Sequence, residues 1–263
     1  MQLQSPPPPP PAPSLSLKGR TALVTGAGKG LGRASALALA AAGARVAVLA
    51  RTASDVARVA AEIEALGGRA LPLAADATRS AEVEAAVEQV LAAFGTIDVL
   101  VHSVGRSLRK PVLSLTDADW TGLIAANLDS TFFFCRAVGR QMVTQGHGSI
   151  INIASAAGLR GRPSNAAYSA AKAGVINLSR AMAMEWASSR VRVNVLAPGR
   201  FLTPLTEPEM SDPLKYEAFI RQVPLGRIGR PEELHHIIVW LASDASAFAT
   251  GSVIVIDGGQ TLL

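Results

Sequence analysis

Tyr168 and Lys172 put a phenol and an ammonium four residues apart, a spacing that brings both side chains to one face of a helix. A free tyrosine titrates at about 10, too high for a base at neutral pH. A positive neighbour favours the phenolate and lowers that value, so Tyr168 could give a proton to a carbonyl oxygen or take one from an alcohol. Tyr-x-x-x-Lys alone arises by chance on helices. Ser155 sharpens it: it stands thirteen residues upstream, at the end of the apolar run Ile150–Ala154, where its hydroxyl can donate to the same substrate oxygen. Capping or turn chemistry is its local alternative. A serine hydrolase would need a Gly-x-Ser-x-Gly elbow, and Ser155 is flanked by Ala154 and Ala156 instead. The four histidines (His102, His147, His235, His236) lie in no matching context, and His235-His236 lacks metal-ligand spacing. Cys135 is the single cysteine, which excludes an intrachain disulfide and a multi-cysteine zinc site. It lies in an apolar stretch and is expected in the core. No metal is expected.

These residues need elements to position them. The apolar run Thr21–Thr25 reads as a strand, followed by Gly26-Ala27-Gly28-Lys29-Gly30-Leu31-Gly32 and a helix over Leu31–Ala42 that stops at Gly43. Glycines allow the tight turn and a close approach of backbone to a pyrophosphate, and the helix N-terminus offers unpaired N–H groups to the anion. A tight turn without ligand is the bland alternative. The second strand, Arg45–Ala50, ends where a dinucleotide's adenosine ribose would lie. An acid there would accept the 2′-hydroxyl of NAD; Ala50 and Arg51 stand there instead, with Lys29 in the turn, which favours the 2′-phosphate of NADP. The competing reading has Arg51 solvated and Asp55 serving NAD. After the third strand, Ala70–Ala75, Asp76-Ala77 follows; Asp76 could accept from the adenine amino group or cap the next helix.

Further strands are expected over Val99–Ser103, Ile150–Ala154, Arg192–Leu196 and Val253–Asp257, with helical periodicity over Ser80–Phe94 and Ala166–Ser188. Continuously apolar strands alternating with Ala-rich helices predict a doubly wound α/β fold on one parallel sheet. The chain has 263 residues, 49% apolar and 17% charged, with 5% aromatic, enough for a sizeable core built from small aliphatic side chains. The net charge is +5, but the basic residues are scattered, so a nucleic-acid groove is not expected. No apolar run reaches the length of a membrane span, so no membrane partner is expected. Six consecutive prolines, Pro6 to Pro11, favour extended polyproline II, and residues 1–16 are expected to form a disordered tail before a single folded domain over 17–263. The tail lacks a secretory pattern, which leaves the cytoplasm as the default compartment.

The set Thr25–Gly32, Ser155, Tyr168 and Lys172 resembles the short-chain dehydrogenase/reductase family, and Asn127-Leu128, Pro198-Gly199 and Asp257-Gly258-Gly259 agree with it. The chain is similar to the 3-oxoacyl-carrier-protein reductase and sugar-acid dehydrogenase branch. The resemblance implies a Rossmann-type sheet of seven strands in the order 3-2-1-4-5-6-7 and a homotetramer. It implies that Asn127 holds a backbone kink and a water that relays protons from Lys172. Lys172 would also hold the nicotinamide ribose. Pro198 and Gly199 would pass beside the nicotinamide, Thr203 would meet its carboxamide or the pyrophosphate, and Phe201 would lie in the same cofactor segment. Asn194 would be structural. The family pattern ends its fourth strand Asn-Asn-Ala-Gly, whereas this chain has His102-Ser103-Val104-Gly105. Gly105 keeps the close approach to the cofactor, and His102 could supply a substitute donor.

These readings converge on hydride transfer between NADP(H), with NAD(H) as the alternative, and a small carbonyl or alcohol. The segment 200–230 reads as a lid, in which Phe201, Leu202, Leu205, Met210, Tyr216 and Phe219 either line an apolar pocket or pack the lid down. Arg106, Arg109, Arg160 and Arg162 lie in loops at the carboxyl edge of the sheet. They could favour an anionic or acyl-carrier-bound substrate, or serve only solubility. A non-catalytic dinucleotide-binding scaffold is the remaining alternative.

Overall fold

A computed structural model describes residues 14–204, 206–207 and 211–263. The proline run, Leu205 and Met210 lie outside the described residues. One sheet runs in the order β3-β2-β1-β4-β5-β6-β7, with every neighbouring pair parallel. Its strands are β1 (Thr21–Thr25), β2 (Arg45–Ala50), β3 (Arg69–Ala74), β4 (Val99–His102), β5 (Gly148–Ile153), β6 (Val191–Pro198) and β7 (Val253–Ile256). The expected order holds, and the expected strand ends shift by up to two residues. Continuously apolar strands are what a parallel sheet covered on both faces requires, and β1, β4 and most of β5 and β6 are wholly buried. Pro72 is accommodated because β3 is an edge strand.

The covering helices are α1 (Gly30–Ala41), α2 (Ala53–Ala65), α3 (Ser80–Phe94), α4 (Asp117–Ile124), α5 (Ser130–Gln145), α6 (Ala166–Trp186), α7 (Pro213–Ile220) and α8 (His235–Ala242). The two larger core clusters are built mainly from Ala, Val, Leu and Ile. Small residues let the layers approach: a Cβ at Gly139 would stand 2.7 Å from the Trp186 ring, and one at Gly158 2.8 Å from the Lys172 backbone. That second contact sets how closely α6 approaches the loop after β5. Helix α6 ends two residues before its expected boundary and continues as a short 3-10 turn, Ala187–Ser189.

Polar groups inside the sheet are paired across elements. Asp98 accepts from the Thr21 backbone N–H at 2.7 Å and faces His147 at 2.9 Å. Asn152 donates to Ser179 at 2.9 Å and lies 3.4 Å from the Cys135 sulfur. Cys135 is buried, and burial pushes its thiol up to about 12, an inert core residue as expected. Asn194 donates to Ala249 O at 2.7 Å and accepts from the Ser252 N–H at 3.1 Å, a structural tie between β6 and the approach to β7.

His102 is the most consequential of these residues. Its Nδ1 meets Thr25 Oγ1 at 2.9 Å and its Nε2 meets Ser130 Oγ at 3.3 Å, so it ties the end of β1 to the start of α5. Both ring nitrogens are engaged inside the protein; the expectation that this side chain would serve as a cofactor donor is corrected to an internal tie. Burial and the Lys172 charge pull the imidazole down to about 3. Unfolded histidine binds its proton near 6.5, so between that pH and about 3 the unfolded chain holds one more proton, and stability falls as the medium is acidified. His102→Asn removes this term. Urea unfolding should therefore show the stability of the parent relative to the variant dropping by roughly 2–3 kcal/mol from pH 7 to pH 4.5. A pH-independent gap would show a histidine that is not held neutral.

Candidate active site

The carboxyl ends of β1, β4, β5 and β6 open on one crevice. At its floor the chain turns from β1 into α1 with no room for side chains. A Cβ at Gly26 (φ 65°) would stand 2.6 Å from the Ser103 carbonyl oxygen, and one at Gly32 would collide with the Gly26 carbonyl oxygen. Helix α1 begins at Gly30 rather than Leu31. Its N-cap residue, Lys29, makes no side-chain cap bond, and no acid sits in the first turn. The end of α1 thus presents N–H groups and no negative charge. Leu31 packs back onto the core. Across the turn, Thr203 lies 3.5 Å from where a Gly30 Cβ would be. This shape and charge fit a phosphate-bearing group.

Arg51 is exposed at the end of β2. Asp76 accepts from the Thr78 N–H at 2.9 Å and from its hydroxyl at 2.8 Å; these bonds, with the charges of Arg51 and Arg79, hold the carboxylate below its usual range. Asp76 therefore closes the turn before α3, while Arg79 occupies the N-cap itself. Ala77 is buried beneath it. Asp55 lies against the glycine turn but pairs with Arg58 at 3.5 Å, and Arg58 also donates to Gly28 O at 2.8 Å. Arg58 carries no motif signal; the one helical turn separating it from Asp55 was the only clue.

Asn127 lies in a π-helical segment, Ala125–Asp129, between α4 and α5. This turn carries one residue more than an α-helical turn. Its Nδ2 donates to Arg106 O and Leu123 O, both at 2.9 Å, and its buried Oδ1 has no protein partner. A Cβ at Gly105 would stand 2.7 Å from that Oδ1 and 3.4 Å from Lys172 Nζ. Gly105 thus keeps open the space that these two polar atoms share.

Ser155 follows β5, and its Oγ accepts from the Ala157 N–H at 3.1 Å. It lines the same cavity as the Tyr168 phenol. Lys172, one turn along α6, is buried and donates to Ile153 O at 3.0 Å; its Nζ lies 5.9 Å from the centre of the Tyr168 ring. Burial pulls this ammonium down to about 8. Burial raises the Tyr168 phenol above its ordinary value, while the neighbouring Ser155 hydroxyl and the charge of Arg200, on the loop after β6, act to lower it.

Beside Ser155 and Tyr168 is a cavity of about 130 Å³, lined also by Gly199, Arg109, Arg162 and Arg200. Asn165 and Gln260 also line it. Neither was singled out by sequence; Gln260 follows the Asp-Gly-Gly turn, which carries no sign of where its side chain goes. Pro198 ends β6 next to Gly199, whose Cβ would meet Asp257 at 2.7 Å. Phe201 is buried in the core under Gly229, so the cofactor role implied for its side chain is corrected to packing. Phe219 is buried, and the Arg200 guanidinium lies 4.4 Å from its ring centre. Leu202 is exposed. Among the described residues no group of three or more His, Cys, Asp or Glu could hold a metal, and no helix is long and apolar enough to cross a membrane.

Comparison with known proteins agrees with this architecture. Residues 26–261 match the family model described as enoyl-(acyl carrier protein) reductase. The chain is 40% identical over 219 residues to a D-threitol dehydrogenase of Mycolicibacterium smegmatis, covering 83% of this chain and 84% of that protein. It is 37% identical over 220 residues to the 3-oxoacyl-acyl-carrier-protein reductase of Escherichia coli, covering 84% and 89%. Among solved structures, a gluconate 5-dehydrogenase from Burkholderia cenocepacia in complex with NADP and tartrate superposes with a TM-score of 0.91 at 36% identity, covering 95% of this chain and 98% of that one. A short-chain type dehydrogenase/reductase from Mycobacterium marinum gives 0.90 at 40% identity, with coverage of 95% and 98%. The glycine turn, the sheet order and these relatives together show that the chain belongs to the short-chain dehydrogenase/reductase family, oxidoreductases acting on CH–OH and C=O groups.

Proposed function

We propose that this chain transfers hydride between NADP(H) and a small carbonyl compound or secondary alcohol, with Tyr168 as the acid or base. The observation that carries the reading is the cavity whose wall holds both the Ser155 hydroxyl and the Tyr168 phenol, with the buried Lys172 amine, bound to Ile153 O, on the same helix as the phenol. Gly26, Lys29, Gly30, Leu31 and Gly32 would cradle the pyrophosphate, Arg51 the 2′-phosphate, and Asp76 and Ala77 the adenine end. Gly105, Pro198, Gly199 and Thr203 would border the nicotinamide half, with Lys172 reaching the ribose. When bound, the nicotinamide supplies or accepts the hydride.

The remaining work falls to this chain's own groups. Ser155 donates to the substrate oxygen and holds it against Tyr168. Tyr168 gives its phenolic proton to that oxygen as the carbonyl becomes an alcohol. Burial keeps the phenol protonated, which suits the reductive direction. Lys172, fixed on Ile153 O, and the unpaired Oδ1 of Asn127 border the space through which a replacement proton reaches the phenol. The segment 200–230 is read as the lid, with Arg200 at the cavity wall. The assembly is read as a homotetramer, which rests on family resemblance, and the compartment as the cytoplasm. The NADP complex of the gluconate 5-dehydrogenase supports the cofactor assignment. The pairing of Asp55 with Arg58 weighs against its serving an NAD ribose.

Tyr168→Phe should lower NADPH-dependent carbonyl reduction by about 10²–10⁴-fold while NADPH binding, read by fluorescence titration, stays within about threefold. Full turnover in that variant would refute the assignment. Arg51→Asp should lower the ratio of NADPH to NADH affinity by about tenfold or more. An unchanged ratio would move the 2′-phosphate contact away from Arg51.

A further inference from the structure

His102 joins two parts of the fold that lie apart in the chain. It stands opposite Thr25 in the β1–β4 register, and Thr25 is the residue before the Gly26 turn. Its other ring nitrogen reaches Ser130, the first residue of α5, directly after the π-helical segment Ala125–Asp129. All three side chains are buried, and the imidazole packs on Phe134 with ring centres 5.5 Å apart. Away from water, each ring nitrogen must meet a donor or an acceptor, so the protons of the cluster can be placed one by one.

Only one placement satisfies every group. The Ser130 hydroxyl lies 2.9 Å from Ala126 O, a carbonyl that can only accept, and 3.3 Å from His102 Nε2. Its single proton goes to the carbonyl, so Ser130 accepts from the imidazole and Nε2 carries the ring proton. Burial and the Lys172 charge keep the ring neutral. Nδ1 is then bare and accepts the Thr25 hydroxyl proton at 2.9 Å. All three bonds run one way, from Thr25 through His102 and Ser130 to Ala126 O. The next hydroxyl repeats the last link: Thr131 Oγ1 donates to Asn127 O at 2.8 Å. The two peptide groups flanking the Asn127 Cα are therefore each held by a hydroxyl, in a turn whose widened backbone spacing leaves carbonyls open to side-chain donors. Of these two hydroxyls, the one on Ser130 is set by His102.

We infer that His102 is a positioning residue: as the Nε2–H tautomer it holds the Ser130 hydroxyl on Ala126 O, and so directs the Asn127 amide oxygen into the space it shares with Lys172 Nζ beside Gly105. The inference rests on Asn127 and Lys172 bordering the path of the replacement proton, and it adds the residue that sets their approach.

Nitrogen-15 NMR of the NADP-loaded protein, labelled at its four histidines, reads the tautomer, with His102 assigned by its loss in His102→Gln. A bare Nδ1 and a protonated Nε2 are expected; a protonated Nδ1 would overturn the proposal. NADPH-dependent reduction of 1,2-cyclohexanedione reads the consequence. Ser130→Ala keeps the imidazole and removes only the hydroxyl; it should lower kcat about fivefold with KM for NADPH within about twofold. His102→Leu should lower kcat at least as much. His102→Gln, whose amide N–H can stand where Nε2–H stands, should stay within about threefold of the parent. Ser130→Ala combined with Asn127→Ala should be no slower than Asn127→Ala alone, because both act through one group. An unchanged kcat in Ser130→Ala, additive losses in the double variant, or leucine as active as glutamine at position 102 would overturn the proposal. Full turnover in Asn127→Ala, or a parent without turnover, would instead sink the reading on which this rests. Hydrogen exchange over residues 125–131 then decides the positioning: faster exchange in Ser130→Ala than in the parent upholds it, and unchanged exchange sinks it.

Discussion

The site is organised around a buried amine. A lysine held away from water needs an acceptor for its ammonium, and Lys172 finds one in the carbonyl of Ile153, the last residue of β5. That single bond fixes α6 to the carboxyl edge of the sheet and so sets where Tyr168, one turn earlier, can be. Gly158 permits it, because a side chain there would strike the Lys172 backbone. The cost of burial is visible in the amine itself, drawn down to about 8. A group so poised can exchange protons with its surroundings near neutral pH, whereas an exposed lysine cannot.

The same economy of space governs the rest of the crevice. Gly26, Gly32 and Gly105 are places where backbone or polar atoms meet with no volume for a side chain. Around Gly105 that volume lies between Asn127 Oδ1 and Lys172 Nζ. The π-helical turn at Asn127 aims the amide, and His102 anchors the following helix to the end of β1 through Ser130 and Thr25. The end of β1, just before the glycine turn, and the helix after the π-helical segment are therefore tied through one buried imidazole, where the family pattern has asparagine.

The cavity beside Tyr168 is lined by charge instead. Loops after β4, β5 and β6 each bring an arginine to the cavity wall, and the C-terminal turn adds Gln260. Sequence showed Arg109 and Arg162 only as loop residues for which solubility was an equal explanation. Their convergence exists because parallel strands all end at one edge of the sheet, so loops distant in the chain become neighbours.

Local pattern was enough for the strands, the helices and the glycine turn, since apolar runs, helical periodicity and positive-φ glycines are properties of short segments. It was enough to gather Ser155, Tyr168 and Lys172 by type and spacing, because one loop and one helix carry all three. Tertiary packing alone decided what each side chain faces. His102 turned inward because β4 lies at the centre of the sheet, where both ring nitrogens find partners. Phe201 went under Gly229 because that glycine leaves room for the ring. Tyr168 became harder to ionise because burial outweighed charge, and the positive group felt by its oxygen came from Arg200, far along the chain. Desolvation and long-range electrostatics depend on which atoms surround a group in three dimensions, and linear spacing carries no record of that.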